Sequence, residues 1–293
     1  MTTLAATAPR ADRLALGAAL FTVTAWASAF VGIRSAGAHL SPGALSLMRL
    51  AVAAAALGAV MGLRREALPR RRHLFRLGVC GVLWFGVYNI ALNAGERRVD
   101  AGTASMLVNI APVLIAILAA LVLQEGLARN LVLGLAVAFA GVTIIAIATS
   151  DGFSLSLGAL LCFVAAVVYA VTVIVQKPLL AELSPLTVTW SACVIGLVVC
   201  LPFAPQLVSE LGDAPAGSIA WSVYLGLVPT AIAFTTWAYA LARTDAGKLG
   251  ATTYLVPPIA IFLGWALLDE VPPGLAFAGG ALALAGVVLS RRR

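Results

Sequence analysis

The sequence predicts an all-α polytopic membrane protein, with ten transmembrane helices arranged as two inverted five-helix repeats. Three observations lead there. Of 293 residues, 62% are hydrophobic and 11% charged, against about 25% charged in a soluble domain. Ten apolar runs approach the roughly 20 residues a helix needs to cross the bilayer core. One set of residues also occurs twice at an offset of 145: Asp100-Ala101-Gly102, Pro112, Glu125 and Gly141 return as Asp245-Ala246-Gly247, Pro257, Glu270 and Gly286. A fixed offset of this kind marks internal repetition.

The runs cover 14–34, 43–63, 74–94, 101–123, 130–149, 156–176, 186–204, 218–242, 248–268 and 274–290. The first is longer than the 7–15 residues of a signal-peptide core and is followed by further spans, so it reads as a retained helix. The last is short. Turn and charge signals separate the runs: Ser41-Pro42-Gly43, the arginines from Arg64 to Arg76, Glu96-Arg97-Arg98, Asp151-Gly152, Ser184-Pro185, Pro215-Ala216-Gly217 and Pro272-Pro273-Gly274. Apolarity is continuous rather than alternating, which excludes a β-barrel.

The net charge of +7 does not point to nucleic acid, because the basic residues sit between apolar runs. With the N-terminus inside, 15 of the 19 Lys and Arg fall on the inner side, and only Arg34, Arg97 and Arg98 on the outer. Arg49 lies within a span. The positive-inside rule then places both termini in the cytoplasm and requires an even number of crossings. The four cysteines, Cys80, Cys162, Cys193 and Cys200, lie in apolar runs without metal-ligand spacing and read as packing residues.

Residues 1–149 and 150–293 form the two units. Leu16-Gly17-Ala18 matches Leu157-Gly158-Ala159, and Ser41-Pro42 matches Ser184-Pro185. Five helices per unit is odd, so the second unit enters the membrane from the opposite face. Inverted repeats of this kind characterise secondary transporters, which bind substrate near the midplane between the repeats.

On these residues, including Arg49 after Ser41-Pro42 and the twin Asp-Ala-Gly…Pro…Glu signatures, the chain resembles the drug/metabolite transporter superfamily. Within it the chain looks like the EamA-type members, and in size and aromatic content like YddG-like amino acid exporters. The resemblance implies a secondary transporter that exports small metabolites, foremost amino acids with an aromatic or neutral bias, by alternating access without ATP. It implies a bacterial inner membrane location. An exporter of drugs or toxic compounds is the alternative within the superfamily, and a non-transporting scaffold or sensor the alternative outside it. In the second unit Ala192 stands where the first has Arg49, so any role of that arginine is one-sided.

Candidate substrate-binding residues follow from polarity and depth. Pro112 and Pro257 lie 12 residues past Asp100 and Asp245, about 18 Å along a helix. Each proline kinks its helix and frees the carbonyl four residues back, at Val108 and Thr253. A freed backbone group at that depth must face protein or a wet cavity. Asn109 and Tyr254 stand beside those carbonyls. Trp84 and Tyr88, with Asn89 and Asn93, form adjacent stripes on the third helix, serving either as a cavity wall or as interhelical glue. Trp26, Tyr169, Trp190 and Trp237 are aromatics placed too deep for the interfacial belt, so they either pack or line a cavity; Thr172 and Gln176 share a face with Tyr169. Arg49 either binds a substrate carboxylate or pairs with Glu96.

The remaining features are structural or gating candidates. Asp100 and Asp245 are expected to cap helix starts. Glu125 and Glu270 close the same helices, where a carboxylate opposes the dipole and needs a partner or water. Gly134 with Ala138, and Ala281 with Ala285, suit close packing within the chain or a weak homodimer. The sequence carries no acidic residue in the middle of a span, no ATP-binding loop and no catalytic signature; His39 and His73 fall on opposite faces. No catalytic residue, metal or cofactor is therefore expected. The expected partners are a small-molecule substrate and the lipid bilayer, with no nucleic acid.

Overall fold

The computed structural model describes residues 8–98, 107–149, 157–268 and 273–292. Asp100-Ala101-Gly102, Asp151-Gly152, Glu270, Pro272 and the side chain of Glu96 lie outside the described residues. All regular structure among the described residues is helical. Helix α1 spans Ala8–Gly37, α2 Pro42–Arg64, α4 Ala111–Val122, α5 Arg129–Thr149, α6 Leu157–Leu179 and α10 Gly274–Ser290. The others are composite. Helix α3 runs through Arg71–Cys80, a π-helical Gly81–Tyr88 and Asn89–Glu96, and α8 through Ala216–Leu225, a π-helical Gly226–Ile232 and Ala233–Leu241. Helix α7 joins Pro185–Cys200 to Ala204–Asp213 through a 3₁₀ turn at Leu201–Phe203. Helix α9 joins Ala246–Thr252 to Val256–Leu268 through a 3₁₀ turn at Thr253–Leu255.

Eight of these are long and apolar enough to cross a membrane; α4 and α10 are shorter apolar helices. Large apolar side chains such as Leu121, Ile147, Leu160, Val198, Phe262 and Val288 are exposed, as expected where the surrounding solvent is lipid. The chain is a multi-pass membrane protein.

Helices α2 and α7 start alike. Ser41 and Ser184 have extended backbone before a proline at the first helical position, where the missing N–H costs nothing. Ser184 Oγ accepts the Thr187 N–H at 3.0 Å; Ser41 instead donates its own N–H to Glu210 at the end of α7, at 2.8 Å. The other end of α2 answers this contact, since Glu66 accepts from the hydroxyls of Ser184 and Thr187. Each of these helices thus presents a C-terminal carboxylate to the other's N-terminus.

Pro112 and Pro257 are each the second residue of a helical segment, after a turn at Asn109–Ile110 and the Thr253–Leu255 turn respectively. The irregular backbone therefore lies just before each proline rather than at it. Asp245 precedes α9 but makes no side-chain cap. Its carboxylate pairs with Lys248, one turn on, at 2.9 Å, so the expected capping bond is replaced by an ion pair.

Two glycine contacts set the helix spacing. A Cβ on Gly81 would stand 2.5 Å from Ile195 Cβ and 2.9 Å from the Ala192 carbonyl; one on Gly226 would stand 2.7 Å from Val52 Cβ and 2.8 Å from the Arg49 carbonyl. The π-helical stretches of α3 and α8 therefore press backbone-close against α7 and α2. Helices α5 and α10 cross antiparallel, with Gly134, Ala138 and Gly141 facing Gly286, Ala283 and Gly279. Ala281 and Ala285 point away and are exposed, so the small-residue contact uses the other face of α10 from the one expected.

Candidate functional site

The π-helical turns build the site. Gly81 and Gly226, which open them, are 145 residues apart. A π turn widens the helix and leaves carbonyls badly placed for i→i+4 bonding; such turns concentrate at functional sites. Here side chains repair them. Asn89 Nδ2 donates to the carbonyls of Trp84 at 3.0 Å and Phe85 at 3.1 Å. Thr230 Oγ1 donates to the Leu225 carbonyl at 2.7 Å. The Pro229 carbonyl takes the Trp26 indole N–H at 3.2 Å.

These turns flank a cavity of about 100 Å³, where one probe-sized water needs about 10–15 Å³. Trp26 and Phe30 of α1, Trp84 and Tyr88 of α3, Tyr169 of α6 and Phe234 of α8 form its aromatic wall. Trp84 lies 5.2 Å from Tyr169 and 5.0 Å from Phe234, and Trp26 5.2 Å from Phe234, between ring centroids. These separations are those of favourable offset and edge-to-face ring pairs. Arg49, Asn89, Asn109 and Thr253 bring the polar groups. Arg49 is 7% exposed and its Nη2 donates to Thr230 Oγ1 at 3.3 Å. In so buried a site a guanidinium attracts an anion more strongly than in water. Among the described residues no Asp or Glu lines this cavity.

Toward the N-terminus of α2 the cavity meets a second one of about 320 Å³ that shares Phe30 and Ile33 with it. Arg34, Pro42, Asn93 and Arg97 line this vestibule. The opposite end, where the arginine cluster lies, is filled. Ile115, Ala119, Val173, Leu241 and Leu249 are buried there. Beyond them Lys177 pairs with Glu125 and donates to the Thr244 carbonyl at 2.9 Å, while Gly247 N–H reaches the same carboxylate at 3.3 Å. Arg72 and His73 meet Glu182 alongside. His73 and Arg72 hold the Glu182 carboxyl below the usual carboxylate range.

Of the residues singled out from the sequence, Trp26, Arg49, Tyr88, Asn89, Asn109 and Tyr169 meet at the cavity. Asn93 lies in the vestibule wall and donates to Ser46 Oγ at 3.1 Å. Trp237 and Tyr254 are fully buried: Trp237 stacks behind Trp26 with centroids 5.1 Å apart, and Tyr254 sits beside Phe139. Trp190 turns toward Gly58 of α2. Thr230 was passed over as one of several threonines in the spans, and Phe30 and Phe234 carried no polar signal. Phe234 stands 145 residues after Asn89 and Phe30 one helical turn past Trp26, and those two relations are the cues that mark them.

The EamA-like transporter family model matches this chain twice, over residues 13–147 and 156–292. The chain is 42% identical over 279 residues to a probable terminal-alkyne amino-acid exporter of Streptantibioticus cattleyicolor, covering 95% of this chain and 94% of that one. It is 30% identical to an uncharacterized transporter of Archaeoglobus fulgidus, covering 93% and 96%. It is 26% identical to a probable amino-acid metabolite efflux pump of Salmonella typhimurium, covering 93% of each. One solved crystal structure superposes with a TM-score of 0.79 at 22% identity over 94% of this chain and 98% of that one, a likeness of fold. With two matched segments spanning nearly its whole length, the chain belongs to the EamA-like transporter family.

Proposed function

We propose that this transporter exports amino acids with apolar or aromatic side chains across a bacterial cytoplasmic membrane by alternating access. The observation that carries the reading is the chemistry of the central cavity, where one buried guanidinium and two amides lie against a wall of six aromatic rings. Arg49 would take the carboxylate in a bidentate pair. Asn89 spends its NH₂ on two backbone carbonyls, which leaves its side-chain oxygen to accept from an ammonium. Trp26, Tyr88 and Tyr169 would receive the side chain, with Asn109 at the same rim. Trp190, Trp237, Asn93 and Tyr254 would then support the site from outside it.

Ten crossings in two inverted five-helix repeats, 1–149 and 150–293, provide the framework for this mechanism. It is supported by the antiparallel α5–α10 contact, in which Gly134, Ala138 and Gly141 meet in reversed order their own counterparts at offset 145, Gly279, Ala283 and Gly286, and by the matched Gly81 and Gly226 approaches. The arginine-rich end and both termini would face the cytoplasm, so the described conformation is open to the outside through the vestibule. A monomer suffices, because the small-residue faces of α5 and α10 are spent on each other. Lipophilic cations fit less well, because they want a buried carboxylate opposite them.

Purified protein in vesicles, loaded on one side with labelled phenylalanine, threonine or a quaternary-ammonium dye, tests this. Phenylalanine flux without ATP is the expected result. Dye flux without amino acid flux would favour the drug-exporter alternative, and no flux across a broad metabolite panel would sink the transport reading.

A further inference from the structure

On α6 the buried Gln176 side-chain oxygen lacks a hydrogen-bond partner, and Tyr169, on the same helix face, stands in the cavity wall. Seven residues separate them, about 10 Å along the helix, in the direction of the arginine-rich end. Gln176 is 1% exposed and Thr172, between them, fully buried; Thr172 turns its hydroxyl back onto the Val168 carbonyl at 2.7 Å. Buried unpaired groups are rare in native folds, and each calls for a reason.

The residue after Gln176 is Lys177. Its bonds to Glu125 and Thr244 tie the end of α4, in the first half, to α6 and the α8–α9 turn of the second. The pair is sheltered, with side-chain exposures of 24% for Lys177 and 13% for Glu125, so solvent screens it less than a surface pair. Arg34 precedes Lys177 by 143 residues, the offset that relates Ser41 to Ser184. One of these equivalent cations lines the open vestibule, and the other clamps the closed end.

We propose that the Tyr169–Thr172–Gln176 face of α6 is the arginine-rich half of the permeation path, shut in this conformation, and that the Glu125–Lys177 pair is the latch that shuts it. In the alternative conformation the latch parts, and water entering beside α6 satisfies the Gln176 oxygen. The proposal rests on the transporter reading only in needing two access states, and is independent of the substrate.

The test is labelling of Gln176→Cys by a membrane-impermeant thiol reagent, from each side of sealed vesicles, with the native cysteines as background. Slow labelling is expected while the latch is intact. Glu125→Gln or Lys177→Gln should speed it about tenfold, equivalent to about 1.4 kcal/mol of population shift, and from the arginine-rich side alone. The exchanged pair Glu125→Lys with Lys177→Glu restores the ion pair but not the Gly247 and Thr244 bonds, and should slow it part of the way back. Thr172→Cys serves as a second reporter should Gln176→Cys fold poorly. Labelling indifferent to the latch, labelling from the vestibule side, or an equal rise at the native cysteines from general loosening would each overturn the proposal. Latch-controlled labelling without amino acid flux would refute the substrate reading and leave this one standing; flux with latch-independent labelling would do the reverse.

Discussion

Replacing Arg49 by Gln keeps most of the side chain's reach and its capacity to hydrogen-bond, and removes its charge. In the structure the guanidinium is 7% exposed and makes a long, 3.3 Å bond to Thr230. Thr230 keeps its own bond to the Leu225 carbonyl at 2.7 Å, so the π turn should survive the substitution. What would be lost, on the proposed function, is a charge-assisted pair with the substrate carboxylate. Hydrogen bonds to charged groups contribute about 1.5–3 kcal/mol, so phenylalanine should bind about ten- to a hundredfold more weakly. Arg49→Lys retains the charge without the planar fork and should fall between, at about fivefold. The assay is displacement of labelled phenylalanine from purified protein by phenylalanine and by its methyl ester. The parent should prefer the free acid, and Arg49→Gln should lose that preference. A Gln variant that weakens both ligands alike while keeping the preference would show that Arg49 shapes the site without meeting the carboxylate.

Other perturbations separate lining from packing. Tyr88→Ala opens the cavity wall and should raise KM several-fold at unchanged folded yield. Trp237→Ala removes a fully buried ring, which typically costs about 3–5 kcal/mol, so its effect should appear first in Tm and yield. Gly141→Leu drives a side chain into the Ala283 backbone, where even a Cβ would stand 2.4 Å from the amide nitrogen, and should abolish folding, whereas Ala281→Leu on the exposed face should leave Tm within about a degree. Equal damage from both would mean that the outer face of α10 is also an interface. Glu182, whose carboxyl is held low by His73 and then Arg72, with Arg76 nearby, keeps these pairings fully above the ordinary carboxylate value near 4.3 and loses them only as pH falls through its lowered one. The ratio of the Gln176→Cys labelling rates with Glu182 intact and with Glu182→Gln, which cancels the ionisation of the reporter thiol, should therefore stay flat from pH 8 to 6. A rise across that window would place the control on another group.

Eight long apolar helices and a repeated unit, which the family model also finds, were legible because each rests on one-dimensional signals: run length, Pro and Gly punctuation, and a constant offset. Trp26 and Tyr169 were legible as aromatics at the wrong depth for an interface. The face each one presents was not, because an α-helical wheel assumes 3.6 residues per turn. The π stretches Gly81–Tyr88 and Gly226–Ile232 break that assumption. They turn Asn89 inward onto the carbonyls of its own helix, a role that i+4 spacing does not suggest. Trp190 and Trp237 met the same depth criterion as Trp26, yet one turns to Gly58 and the other packs behind the wall. Partner choice depends on which helix lies opposite, and a single chain of letters does not carry that. The Glu125–Lys177 pair was half legible: a carboxylate at a helix C-terminus needs a partner, but the partner lies 52 residues away.

Where the two halves differ is more informative for function than where they agree. The Arg49 and Ala192 carbonyls occupy corresponding places, each pressed against the glycine that opens a π turn, so the backbone treats them as equivalents. Only one carries a charge. Asn89 and Phe234, 145 residues apart, both reach the cavity, one polar and one aromatic. Asn109 reaches it while its counterpart Tyr254 is buried beside Phe139. On the proposed inverted repeat, a symmetric backbone would suit two access states of similar energy. An asymmetric lining gives the cavity a charged side on α2 and an aromatic side on α1, α3, α6 and α8, which would orient an amino acid the same way in both states. Moving the charge, by Arg49→Ala with Ala192→Arg, should therefore not restore binding. The Asn89 oxygen and the rings stay where they are, so the new cation would face the substrate from the wrong side. Recovery of parental affinity in that double variant would show that the polar lining is as symmetric as the backbone.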